Sequence, residues 1–141
     1  MYEYLGYNAR IDNIQAKVVQ AKLPYLQGWL DRKHEIATYY TEQLQDYYVT
    51  PKEMIWGQHS YYVYVIEHPY RDKIRFRLGE AGIGTNIHYE NPAHLTPAFK
   101  KWRRSLPVTE QLSRDIFSIP IYPHLTDNQV EYIANKCKEL R

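Results

Sequence analysis

Residues 116–134 read IFSIPIYPHLTDNQVEYIA, and two periods meet inside this stretch. Ser118 to Tyr122 is a short strand-like run, closed by Pro123, which has no N–H to give to a ladder. Thr126 and Gln129 stand three apart, the spacing of a capping box in which hydroxyl and amide each satisfy a free backbone donor at a helix start. Val130, Ile133, Ala134 and Cys137 then follow at helical period. A strand feeding directly into a capped amphipathic helix predicts a sheet with helices packed on it.

Moving upstream, Val108, Leu112 and Ile116 mark another helix, and Thr96 with Pro97 matches an N-cap followed by proline at the first helical position. Ile83 to Tyr89 reads as a strand. In the segment RDKIRFRLGEAG, residues 71–82, Ile74, Leu78 and Ala81 share a helical face with Tyr70, and Gly82 supplies a left-handed C-terminal cap. His59 to Ile66, HSYYVYVI, is aromatic and β-branched, and predicts a further strand. Toward the N-terminus, Ile11, Ile14, Val18, Ala21 and Tyr25 fall on one face of a helix from about Asp12. Leu26, Leu30, Ala37, Tyr40 and Leu44 continue the pattern, so the expectation is one long helix kinked near Pro24. The resulting order is helix, helix, strand, helix, strand, helices, strand, helix. This is an α+β layout with a small, mostly antiparallel sheet preceded by a long kinked helix.

The 141 residues match the length of one domain, with no repeat, low-complexity tract or linker to divide them. Lys and Arg total 18 against 16 Asp and Glu, interspersed along the chain, which argues against a dedicated nucleic-acid surface. Mean hydropathy is −0.65 and no apolar run approaches the ~20 residues that cross a bilayer, so no membrane partner is expected. Tyr2, Glu3 and Tyr4 after Met1 lack the pattern of a secretory signal, and a cytoplasmic location is expected. The single cysteine, Cys137, provides neither an internal disulfide nor a Cys-rich zinc site. Fifteen tyrosines and three tryptophans are enough to fill a small core and also to furnish contact surfaces.

Several kinds of chemistry drop out. Gly79, Gly82 and Gly84 lack the lysine or third glycine of a phosphate loop and read as cap and turn. No HExxH helix or glycine-flanked serine elbow is present. His88 and His94 lie six apart without a third ligand, so no metal is assigned, and hydrogen-bonding or proton-relay roles suit them better. Phe76 among Arg71–Arg77 and Trp102 among Lys100–Arg104 have the interleaving of a base-stacking surface, although a solvated helix face accounts for the charges. Asn8 and Arg10 precede the first helix in a glycine-containing turn. They either aim an amide and a guanidinium fork at an anion, or cap and decorate that helix.

Three ordered stretches, GYNARIDNIQAKVVQAKL (6–23), GIGTNIHYENPAHLTPAF (82–99) and LPVTEQLSRDIFSIPIYPHLTDNQVEYI (106–133), together resemble the C-terminal part of the DegT/StrS family of pyridoxal-phosphate-dependent sugar aminotransferases. The resemblance implies the small C-terminal domain of a fold type I aminotransferase over residues 1–141. Residues 1–46 would be the helical segment linking it to a large domain that this sequence does not contain. It also implies amino transfer from glutamate to a nucleotide-linked keto sugar, in amino-sugar and polysaccharide biosynthesis, at a homodimer interface. Asn8 would reach the neighbouring subunit's cofactor phosphate and Arg10 would lie near the cofactor and substrate anions. His88, Tyr89 and His94 match the strand and loop that approach the substrate. The Schiff-base lysine and the aspartate for the pyridine nitrogen belong upstream in such proteins, and no lysine here sits in a matching motif. The chain alone is therefore expected to be inactive. The alternatives are a non-catalytic dimerisation module, a dehydratase relative using the same cofactor, and a basic nucleic-acid-binding module.

Overall fold

The computed structural model describes residues 11–141. Helix α1 (Asn13–Lys22) leads through a 3₁₀ turn (Leu23–Tyr25) into α2 (Leu26–Leu44). The turn falls where Pro24 removes an N–H, so the expected break in the long helix lies at the expected residue. The chain continues through β1 (Tyr64–Glu67), α3 (Arg71–Glu80), two 3₁₀ turns (Ala93–Leu95 and Pro97–Trp102), α4 (Pro107–Asp115), β2 (Ile116–Ile119) and α5 (Asp127–Glu139). Strands β1 and β2 pair antiparallel, Tyr64 opposite Ile119 and Glu67 opposite Ile116. Single bridges extend the sheet on both sides, Val49 to Glu67 and Asn86 to Ser118. The α+β layout with its small antiparallel sheet is therefore present.

One core unites the elements. Ile36, Tyr40 and Leu44 of α2 and Val130, Ile133 and Cys137 of α5 are buried together with Tyr64 and Ile66 of β1, Phe117 and Ile119 of β2, and Ile74 and Leu78 of α3. Buried tyrosines place their hydroxyls on backbone carbonyls: Tyr40 donates to Pro120 O at 3.0 Å and Tyr48 to Cys137 O at 2.7 Å. Such rings contribute apolar area without leaving a polar atom unsatisfied. At α5 the capping box forms as its spacing predicts, with Gln129 N donating to Thr126 Oγ1 and Thr126 N to Gln129 Oε1 at 3.0 Å. Gly82 has φ +76° just beyond α3, the left-handed conformation expected of it.

The sequence-based strands are too long. His59–Ile66 is expected to be extended throughout, yet the ladder covers only Tyr64–Glu67. Ahead of it Lys33 Nζ donates to Ser60 O at 2.5 Å, the Tyr61 N–H donates to His59 Nδ1 at 2.9 Å, and Tyr61 has φ 44°. Side chains thus take the backbone groups a strand would need. Ile83–Tyr89 is reduced to the Asn86 bridge, because Asn86 Oδ1 accepts the Ile87 N–H at 2.8 Å. The last strand begins two residues early, at Ile116, which leaves the expected helical face and joins the sheet, and it ends before Pro120. Beyond Thr96–Pro97 only a 3₁₀ turn forms, with Thr96 at its N-cap position making no side-chain cap and donating its hydroxyl to Ala93 O at 2.7 Å. The apolar face of α1 is exposed, with no buried residue in that helix.

Candidate substrate-facing cleft

The bridge between Asn86 and Ser118 is made by two backbone bonds, Ser118 N to Asn86 O at 2.7 Å and Asn86 N to Ser118 O at 3.2 Å. In this bridge Ser118 stands across from Asn86. His88 meets both neighbours. Its Nδ1 is 2.9 Å from Ser118 Oγ, and its Nε2 is 3.2 Å from Asn86 Nδ2. The Ile87 N–H fixes the Asn86 amide with its oxygen turned away, so the NH₂ group faces His88. A neutral His88 ring satisfies both contacts when Nε2 accepts and the proton sits on Nδ1, facing Ser118.

His88 and Tyr89 form one end of an open cleft of about 570 Å³. Asn91, Pro92, Ala93, Thr96 and Phe99 supply its loop side, while Thr109, Leu112 and Ser113 of α4 and Ile116 of β2 supply the other. Tyr89 is 77% exposed and meets the His88 ring edge to face, with 5.7 Å between centroids. The lining is mostly apolar with a few hydroxyls and amides, which suits an uncharged ring bearing hydroxyl groups.

His94 is drawn elsewhere. It is not in the cleft lining, and its Nε2 lies 3.2 Å from Glu110 Oε1. The same oxygen accepts the Leu106 N–H at 2.9 Å. The Leu106 N–H, and after it His94, hold the Glu110 carboxyl below the usual glutamate range. This contact ties the loop that closes one side of the cleft to the start of α4. The structure brings His88 and Tyr89 together and gives His94 an anchoring position behind the loop. Asn86, Ser118 and Glu110 were not singled out from sequence. The hydrogen-bonding residues flanking His88 are individually ordinary, and only the bridge register assembles them.

Asn8 and Arg10 lie outside the described residues. Among the described residues no group of three or more His, Cys, Asp or Glu side chains is arranged to hold a metal ion. Among the described residues no lysine and no carboxylate lines the cleft. An aldehyde cofactor therefore finds neither its covalent anchor nor a partner for a pyridine nitrogen in this wall. The basic runs are partly structural: Arg71 is buried and donates to Ser113 O at 2.6 Å, and Arg75 donates to Thr85 Oγ1 at 3.1 Å. Arg71 thus leaves the solvated face on which the sequence would put it. Phe76 and Trp102 remain exposed. No helix among the described residues is long and apolar enough to cross a membrane.

The chain is a small α+β domain that offers one wall of a ligand-sized cleft. It belongs to the DegT/DnrJ/EryC1/StrS aminotransferase family, whose profile matches residues 1–138. Among curated relatives, it is 34% identical to the pleiotropic regulatory protein of Geobacillus stearothermophilus, over 98% of this chain and 39% of that protein. It is 33% identical to the dTDP-3-amino-3,6-dideoxy-alpha-D-galactopyranose transaminase of Aneurinibacillus thermoaerophilus, over 94% of this chain and 38% of that protein. The crystal structure of a DegT DnrJ EryC1 StrS aminotransferase from Brucella abortus superposes with a TM-score of 0.90 at 31% identity, covering 99% of this chain and 39% of that one. The chain thus spans about 39% of the length of the relatives it matches.

Proposed function

We propose that this chain is the small C-terminal domain of a pyridoxal-phosphate-dependent aminotransferase that moves an amino group from glutamate to a nucleotide-linked keto sugar. The observation that carries this reading is the family match along residues 1–138 in a chain about 39% as long as its relatives. One of those relatives is a transaminase of a dTDP-linked amino sugar. Pyridoxal phosphate would supply the electron sink for amino transfer, and its lysine would come from the part of the protein beyond this chain. Residues 1–46 would link to that part. Asn8 would reach the cofactor phosphate of a neighbouring subunit in a homodimer, and Arg10 would pair bidentately with a carboxylate or phosphate. His88 and Tyr89 would form the sugar-facing wall, and His94 would hold the adjoining loop through Glu110. A cytoplasmic setting suits such a biosynthetic enzyme.

The test compares the 141-residue chain with a protein in which it is joined to a lysine-bearing large domain of the family. The joined protein should aminate keto sugar nucleotides with glutamate as donor, and the short chain should not. Within the active protein, Tyr89→Ala should raise KM for the sugar nucleotide about tenfold while leaving KM for glutamate unchanged, the split expected for a group that touches only one substrate. Turnover by the short chain alone, or an equal effect of Tyr89→Ala on both substrates, would overturn the assignment.

A further inference from the structure

His88 is held at both ring nitrogens, and this restricts what it can do. Ser118 is buried, so its Oγ is a fixed partner for Nδ1 at 2.9 Å. Asn86 cannot turn its amide without giving up the Ile87 N–H, and the Nδ2 group stays 3.2 Å from Nε2. The two backbone bonds of the bridge keep Asn86 and Ser118 in register with each other. A second proton on His88 would set an N–H against the Asn86 NH₂, two donors facing one another. Beside His88 and reached through it stands Tyr89, whose ring meets the imidazole edge to face on the open side of the cleft.

We propose that Asn86 and Ser118 are positioning residues that lock His88 in the tautomer protonated at Nδ1, so that His88 is a fixed support for Tyr89 and not a proton carrier. The functional half of this inference rests on the reading of the cleft as the sugar-facing wall. The structural half stands on the hydrogen bonds alone. In this arrangement neither nitrogen of His88 is available to a substrate hydroxyl or amine, and Tyr89 makes the contact with the sugar. Ser118, having accepted from His88, keeps its own O–H free to donate.

The experiment measures nitrogen chemical shifts of the ¹⁵N-histidine-labelled protein, with the His88 signals assigned by their loss in His88→Gln. Nδ1 should carry the proton, and Nε2 should show the shift of a lone-pair nitrogen. Asn86→Asp replaces the donor facing Nε2 with an acceptor, and should convert Nε2 to the protonated form at the same pH. Ser118→Ala removes the partner of Nδ1 but leaves the Asn86 amide facing Nε2, so it should keep the Nδ1-protonated tautomer while shifting the Nδ1 signal, and Ser118→Thr should restore the parent signature. In the joined, active protein, Asn86→Asp and Ser118→Ala should each raise KM for the sugar nucleotide about five- to tenfold, of the order one hydrogen bond carries. The glutamate half of the reaction should keep its rate. A parent His88 protonated at Nε2, or an Asn86→Asp variant that leaves the tautomer unchanged, would overturn the lock. A tautomer that switches without any change in KM would overturn the positioning role. Should the joined protein lack aminotransferase activity, the reading of function fails, and the nitrogen shifts still decide the lock independently.

Discussion

Cys137 sits on the inner face of α5 with its side chain sealed in the core, and burial pushes its thiol up to about 12. The thiolate is the reactive form, so the folded protein should resist maleimide at neutral pH and label only on unfolding; rapid labelling of the native state would show that the core opens. The same shift has a stability consequence. A group whose folded pKa is raised adds stability that is complete below its unfolded value and is lost as pH rises through the window between the two. For Cys137 that window runs from the ordinary thiol pKa of about 8.5 up to the folded value. Burial also raises Tyr64 to about 12 and moves Tyr40 and Tyr48 upward. Denaturation midpoints should therefore hold steady toward pH 8 and then decline, with a limiting slope of about 1.4 kcal/mol per pH unit for each group ionised only in the unfolded chain. A midpoint that rises with pH in this range would contradict the burial of these groups. Arg71 illustrates burial of another kind, since its guanidinium holds the Ser113 carbonyl and Asp72 while almost out of contact with water. Arg71→Ala strands that carbonyl and leaves a void, and should cost about 2–3 kcal/mol in chemical denaturation. Asp72→Asn, on the exposed side of the pair, should cost under about 0.5 kcal/mol.

Among the elements, the loop from Asn91 to Ser105 has no long regular structure and relies on a few ties. The clearest is Glu110, whose Oε1 receives both the Leu106 N–H and His94. Lys100, Lys101, Arg103 and Arg104 are exposed along this loop and offer four tryptic sites. Glu110→Ala should speed cleavage there several-fold while leaving the core helices intact on the gel, and an unchanged cleavage rate would mean that the loop is held by other contacts. Acid should act in the same direction. With the carboxyl depressed by its partners, its contribution is present above the unfolded glutamate value and disappears as pH falls through the lower folded one. The α5 capping box, the Gly82 cap and the break at Pro24 were all legible from sequence, because each depends on residues within a few positions of one another. Strand lengths were not, because they depend on distant competitors. Lys33 of α2 claims the Ser60 carbonyl, and the Asn86 side chain claims a neighbouring N–H that the HSYYVYVI and IGTNIHY patterns alone would leave to a ladder. The site was legible in the same uneven way. His88 and Tyr89 are adjacent and emerged together, whereas Ser118 joins them only through a bridge across thirty residues.

Across the whole molecule, burial is uneven, and the unevenness follows the chain. The second half of α2 is in the core through Ile36, Ala37, Tyr40 and Leu44, whereas α1 buries nothing. Ile11, Ile14, Val18, Ala21 and Tyr25 repeat at the spacing of an inward face and yet are exposed. Sequence periodicity reports that a face is apolar and leaves open what it packs against. A ten-residue helix with no packed face is marginal in water, since nucleation is costly and propagation gains little over so few residues. Stability should accordingly fall off along the molecule, because local opening is cheapest where few apolar contacts must be broken. Hydrogen exchange followed by mass spectrometry on the 141-residue chain should find the amides of α1 exchanging almost as fast as an unfolded peptide. Those of Ile36–Leu44 and of α5 should exchange only through opening of the core. Mixing with a large domain of the family, or joining to one, should slow α1 selectively if its apolar face is completed there, with little change at α5. Protection of α1 equal to that of α2 in the short chain by itself would show instead that its face is already covered, by self-association that sedimentation at the same concentration would reveal.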